Sequence, residues 1–278
     1  MYHQANLGGA VKAQVREPYD GTVLGAIRAL TLGVNLKLCL DAGDDNSYPG
    51  GTLWRDVSGN GYDFFRGTTV GAEASDPTFT GTPGGKSSSE YFSLDGGDVF
   101  QYDSANETWM ENLHKNNALF TLCTWVYMPS SAATRGILGT RGSLTGHTGL
   151  SMHFNINDSL TLSAANAGAA ALNYQSAIPA PGFVEDAWNF LAVSVDEAAG
   201  ASGGIALFTD SSDTFDATYS SPASGSASYT MQIGSRGNAD SPQVSGTRYA
   251  AVCAWEGRAL TLAQLQALRD VTRRRFGV

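Results

Sequence analysis

The chain has 278 residues, of which 42% are hydrophobic and 10% aromatic: long enough for a full core and too apolar for a disordered polymer. Its 33 glycines against only 17 Lys and Arg point to many tight turns between short strands, an all-β composition. A net charge of -9 argues against nucleic acid as a main partner, because duplex affinity comes largely from cations neutralising phosphates, and no apolar run is long enough to insert into a membrane.

Residues 1–33 lack strand alternation. Within them Thr22–Thr31 carries apolar residues at helical spacing interrupted by Gly25, which predicts a short helix, and the whole segment reads as an arm that docks on another surface, the alternative being a frayed terminus or a brace on its own domain. From Val34 the pattern becomes that of strands, and 34–278 is read as one sandwich domain. Leu36, Leu38 and Leu40 are expected on one face of the first strand, Lys37 and Cys39 on the other. Ser58-Gly59-Asn60-Gly61 predicts a tight turn, and residues 71–89 a surface loop. Tyr91–Asp95 and Asp98–Asp103 predict a strand pair around Gly96-Gly97.

Leu119–Pro129 is apolar on both faces and predicts a central strand, with Trp188–Asp196 and 203–210 as a further pair. The chain closes in a helix. Thr261 and Gln264 fit a capping box, Leu262, Leu265, Leu268 and Thr272 form its apolar stripe, and Arg273–Arg275 place cations at its C-terminal end. Cys39, Cys123 and Cys253 lie in apolar runs without metal spacing and read as buried free thiols from a reducing compartment. The N-terminal residues show no signal-peptide pattern.

Four segments in order carry a family likeness: Leu38–Gly43 with Ser47–Gly50 and Trp54–Gly61; Tyr91–Asp98; Trp188–Asp196 with Ile205–Asp210; and Ile233-Gly234 with Ala251–Glu256 and Arg258–Thr261. Together they resemble the laminin-G-like jelly rolls of the concanavalin A-like lectin/glucanase superfamily, in the subtype found in phage particles and on bacterial surfaces. The resemblance implies a two-sheet antiparallel jelly-roll sandwich with a C-terminal α-helix and an N-terminal arm. It also implies adhesion or carbohydrate binding as the usual activity.

No catalytic residues are expected. The paired acids Glu185-Asp186 and Asp44-Asp45 are adjacent, which sends their side chains apart, and His3, His114, His147 and His153 show no ligand spacing. A sugar site would need an aromatic platform beside polar groups, and Tyr48, Trp54, Tyr62 and Trp109 are the candidates; Trp125, Trp188 and Trp255 read as core. Relatives that hold calcium at a sandwich rim make Asp41, Asp44, Asp45, Asp56, Asn60 and Asp63 candidate ligands, the alternative being that these side chains only build turns.

The resulting expectation is a virion structural protein, a capsid decoration, spike or tail-fibre component assembled in the host cytoplasm. Its arm would bind other virion proteins, its copies would form a homo-oligomer, and its sandwich would project outward toward a host-surface glycan. The alternative is a free or cell-surface carbohydrate-binding lectin, with calcium as its cofactor.

Overall fold

The computed structural model describes residues 19–142, 146–166, 172–202, 204–210, 212–216 and 225–278. Helix α1 (Val23–Ala29) leads into β1 (Leu36–Asp41). The short strands β2 (Leu53–Trp54), β3 (Phe64–Arg66), β4 (Thr78–Thr80), β5 (Tyr91–Ser93) and β6 (Phe100–Tyr102) follow, then helix α2 (Thr108–Asn112). Longer strands come next: β7 (Leu119–Met128), β8 (Arg135–Gly139), β9 (Gly149–Phe154), β10 (Leu160–Ala165), β11 (Leu172–Gln175) and β12 (Ala187–Asp196). The chain ends with β13 (Ile205–Thr209), β14 (Ser212–Asp216), β15 (Gln232–Ile233), β16 (Arg248–Glu256) and helix α3 (Leu262–Thr272).

These strands form two antiparallel sheets. The first runs β14-β13-β12-β7-β16-β5-β4, with β1 also paired to β16, and the second runs β11-β10-β9-β8-β15-β6-β3-β2. Between them lies the main core, to which the first sheet gives Leu38, Leu40, Leu122, Val126 and Val193 and the second gives Met152, Phe154, Leu162 and Ile233. This is the expected sandwich.

The central strands of the first sheet are buried on both faces, and the second face explains the ends of the chain. Cys39, Cys123, Trp125, Trp188, Phe190, Cys253 and Trp255 point away from the inter-sheet core and are covered by Ile27 and Leu32 at one terminus and Leu265, Leu268 and Phe276 at the other. Trp125 donates its indole N–H to Thr272 Oγ1 at 2.9 Å and stacks on Phe276 with ring centroids 4.3 Å apart. Trp255 donates to the Leu32 carbonyl at 2.8 Å. Each large indole thus has its polar edge satisfied and its faces in apolar contact. The three tryptophans read as core from the sequence are buried core residues.

The segment read as an arm therefore divides. Residues 1–18 lie outside the described residues. From Thr22 to Leu32 the chain is part of the sandwich, because α1, capped by the Thr22 hydroxyl accepting from Gly25 N, buries Val23, Leu24, Ala26 and Ile27. Helix α3 has the anticipated capping box, with both reciprocal bonds formed.

Two local expectations are corrected. In β1 a register shift between Leu36 and Leu38 moves Leu36 to the helix-covered face with Cys39, while Leu38 and Leu40 face the inter-sheet core. One extra residue in a strand re-aims every side chain beyond it. Tyr91–Ser93 and Phe100–Tyr102 are not hairpin partners either. β5 pairs with β16 and β4 in the first sheet, β6 with β15 and β3 in the second, and the chain crosses between layers at Gly96, whose φ of 109° suits glycine.

The basic C-terminus has a further role that helix electrostatics did not predict. Arg275 Nη1 meets Asp41 Oδ1 at 2.5 Å, both side chains being almost wholly buried, and its Nε donates to the Ser87 carbonyl. Asp41 Oδ2 accepts from Val23 N and Oδ1 from Gly43 N. Gly43 leaves the room for this: a Cβ there would lie 2.3 Å from Arg275 Nη2.

Replacing Arg275 by Met strands a buried carboxylate, so unfolding in urea should show a loss of about 3–5 kcal/mol. Gly43→Ala should destabilise in the same assay. Asp98 supplies a pH-dependent test. Burial, and then the nearby carboxylates Asp95 and Asp76, push its pKa up to about 6, although its Oδ2 accepts from Asp95 N. A carboxyl that is protonated more readily in the folded state favours folding below its unfolded pKa, and this contribution is lost as pH rises through 6. Asp98→Asn should abolish a decline on the order of 2 kcal/mol between pH 4 and pH 7, read from denaturant midpoints at each pH.

Candidate ligand-binding site

The loop between β2 and β3 organises the rim of the sandwich. Asp56 is its hub: Oδ1 accepts from Cys39 N and Ser58 N at 2.9 Å each, and Oδ2 from Ser58 Oγ at 2.7 Å and Tyr62 N at 3.2 Å. Asp63 Oδ1 accepts from Asp56 N, and Asn60 Nδ2 reaches the Leu36 and Lys37 carbonyls at 3.0 Å each. Gly59 and Gly61, at φ of 100° and 76°, make the turn predicted from Ser58–Gly61. The loop is thereby pinned to β1.

Two recesses open beside it. One is a cleft of about 520 Å³ whose wall combines Asp20, Asp44 and Asp63 with Arg28 and Arg55. The other, of about 250 Å³, is lined by Lys37, Tyr62, Glu107, Trp109, Asn112 and Glu256. A neighbouring recess of about 330 Å³ shares Asn112 and Glu256 with it and extends past Asn116 and Asn117.

The aromatic candidates separate clearly against this geometry. Trp54 is fully buried between Phe92 and Phe100, with ring centroids 4.9 and 4.8 Å away. Tyr48 is buried as well, its hydroxyl accepting from Arg66 Nη1 and donating to the Gly51 carbonyl. Both are inter-sheet core residues and present no ring face to a ligand, which corrects their reading as sugar platforms. Trp109 is buried too, but its ring lies 5.7 Å from that of Tyr62, and both line the smaller recess. Tyr62 is the one of the four that is only partly buried. Burial, then Glu107 and Asp56, raise its phenol pKa, so it stays a neutral hydroxyl.

Polar groups around Tyr62 are already oriented. Asn112 Nδ2 donates to Glu256 Oε1 at 3.1 Å, Lys37 Nζ lies 3.6 Å from Glu256 Oε2, and the Tyr102 hydroxyl donates to Glu107 Oε1 at 2.8 Å. None of these polar residues was picked out from the sequence. Glu256 and Lys37 sit on paired strands and Glu107 and Asn112 at the two ends of α2, so only folding brings them together.

The calcium candidates do not form an ion site. Asp41 is taken up by Arg275 and two backbone N–H groups, and Asp56 by four loop donors. Asp44 Oδ1 holds Asn46, Asp45 is exposed, and Asn60 binds β1 carbonyls through its amide nitrogen. Asp44, Asp56 and Asp63 do border the larger cleft. Yet among the described residues no three His, Cys, Asp or Glu side chains gather as ion ligands do. The turn-building reading accounts for the bonds that Asp41, Asp56 and Asn60 make.

Comparison with known proteins fits the sandwich. The chain belongs to the concanavalin A-like lectin/glucanases superfamily, whose model matches residues 88–266. Similar solved structures include one of botulinum neurotoxin type C, described in a study of its entry through two ganglioside molecules (TM-score 0.57, 11% identity, 87% of this chain and 52% of that one). A second is the binding domain of botulinum neurotoxin DC in complex with SialylT (TM-score 0.55, 13% identity, 86% and 52%). A third is Trypanosoma rangeli sialidase in complex with sialic acid (TM-score 0.52, 13% identity, 85% and 33%). The chain thus spans about half the length of the neurotoxin chains and a third of the sialidase. No curated protein matches it by sequence. At these identities the likeness establishes the fold, a lectin-type sandwich.

Millimolar calcium, compared with a chelator, should leave the thermal midpoint unchanged. A bound ion at a hundredfold excess over its Kd would add about 2.7 kcal/mol of stability, a shift easily seen by calorimetry.

Proposed function

We propose that this chain is a non-enzymatic glycan-binding module that engages a sugar in the recess beside Tyr62. The carrying observation is the partly exposed Tyr62, backed by Trp109 and edged by Asn112, Glu107, Glu256 and Lys37. A pyranose offers an apolar C–H face for the ring and hydroxyls for fixed donors and acceptors, and this recess supplies both kinds of partner. The sandwiches it resembles include proteins described with sialic acid, SialylT and gangliosides, which is consistent with glycan recognition on this scaffold.

Two carboxylates, Glu107 and Glu256, share the recess, and glycoside hydrolysis also uses two. Here Glu256 faces Lys37 and accepts from Asn112, while Glu107 accepts from the Tyr102 hydroxyl. Each carboxylate is thus tied to neighbouring donors of the fold, an arrangement that suits fixed hydrogen-bond acceptors for sugar hydroxyls.

In a glycan array, the chain should retain a defined set of ligands. Tyr62→Ala and Asn112→Ala should each weaken the best of them roughly tenfold or more without moving the thermal midpoint by more than a few degrees. Release of reducing sugar from those same ligands would overturn the non-enzymatic reading, and an array without any saturable ligand would overturn the glycan reading.

The virion expectation is a proposal of the same kind, supported by the sequence resemblance. Residues 1–18 would dock on other virion proteins and symmetric copies would carry the sandwich outward. A chain lacking 1–18 should no longer sediment with particles. If the full chain is found only free of particles, the free-lectin alternative takes its place.

A further inference from the structure

The outer face of the second sheet holds a group of charged side chains separate from the rim. Along β9, Leu150, Met152 and Phe154 face the inter-sheet core, so Ser151 and His153 point outward. Over the neighbouring β8, the backbone at Ser235 and Arg236 lies so close that a Cβ on Gly136 or Gly139 would fall within 2.3 Å of it. Gly237, at φ of 121°, likewise packs against the backbone of Arg141, and Arg141 N donates to the Arg236 carbonyl at 3.1 Å. Three glycines thus hold Arg141 and Arg236 side by side.

Their guanidiniums are poorly compensated. Arg141 is 1% exposed, and its Nε and Nη1, like Arg236 Nε, are buried without a hydrogen-bond partner among the described residues. Among the described residues no ion pair joins either guanidinium to a carboxylate. The nearest acid is Asp240, beside Gly142 with His147. Burial first and then the Arg236 charge lower the Arg141 pKa to about 10, against the pull of Asp240, and the two arginines help hold buried His153 neutral, at a pKa of about 3. Two cations therefore face one anion, in surroundings where a lone buried charge is costly. Arg236, His147 and Asp240 are partly exposed, so the group reaches the surface beside buried Arg141. The Tyr229 hydroxyl, 2.9 Å from His147 Nε2, completes the polar wall.

We infer that Arg141 and Arg236 form a second binding site, distinct from the Tyr62 recess, for a singly charged oxyanion carried by an acidic saccharide. Guanidinium forks match the paired oxygens of a carboxylate or a sulfate ester. One uncompensated positive charge suits a monoanion better than a doubly charged phosphate. The saccharide as carrier rests on the glycan-binding reading; the anion site itself does not.

The test is thermal unfolding of the full chain with acetate, galacturonate, N-acetylneuraminate, a galactose sulfate ester and neutral galactose, each at matched ionic strength. The site predicts a rise of roughly 5 °C at a hundredfold excess over Kd for an acidic sugar, with none for galactose. The carboxylate and sulfate arms decide which ester or acid is preferred. Arg236→Gln, at a partly exposed position, should weaken that ligand roughly thirtyfold. Arg141→Gln should abolish the shift while leaving the unliganded protein at least as stable as the wild type, because it removes an unpaired buried charge. Tyr62→Ala should leave the shift intact, so failure of the rim reading stays distinguishable. No stabilisation by any of the anions, an equal shift with galactose, or an undiminished shift in Arg236→Gln would overturn the assignment.

Discussion

The carboxylate of Asp41 sits where three separate parts of the chain meet. It accepts the Val23 N–H at the start of α1, holds the Gly43 turn that leaves β1, and pairs with Arg275 from the last residues of the chain. An ionised pair out of water survives only when its remaining donors and acceptors are satisfied, and these backbone N–H groups and the Ser87 carbonyl do most of that. The consequence is mechanical. Both terminal helices are fixed against the first sheet, and the 43–47 turn, which also receives Asp41 N on Ser47 Oγ, enters the rim at a set angle.

From that anchor the rim follows. Ser47 Oγ passes the constraint on to the Arg55 carbonyl, and Asp56 and Asn60 fasten the next loop back to β1. The ring of Tyr62 is held at the end of this relay, beside α2. A recess built on such a frame needs little rearrangement to receive a ligand, which lowers the entropic cost of binding. The second sheet follows a different principle. Its outer surface carries polar and charged side chains in close quarters, and there the stability given up by crowding two arginines becomes a means of recognising a negative charge.

The double burial of the first sheet ties these features together. A strand such as β7, apolar on both faces, needs cover on the side away from the sandwich, and Trp125, Trp188 and Trp255 receive it from α1, α3 and Phe276. The terminal helices are therefore structural parts of the domain, and the surfaces left for recognition are the loop rim and the place where Arg236 reaches the surface over the other sheet.

Periodicity and local chemistry alone determined the sandwich class, the central position of Leu119–Met128, the capped C-terminal helix, the Ser58–Gly61 turn and the core role of three tryptophans. Those features depend on alternation, helix caps and glycine conformation, all of which act over a few residues. Only the tertiary structure decided that Trp54 and Tyr48 are core while Tyr62 is partly exposed, since an isolated aromatic residue reads the same whichever way its ring turns. It also decided the one-residue shift in β1, the separation of Tyr91–Ser93 and Phe100–Tyr102 into different sheets, and the pairing of Asp41 with Arg275 across 234 positions. Contacts at such separations leave no local trace, because what selects them is the burial of charge and volume in the assembled core.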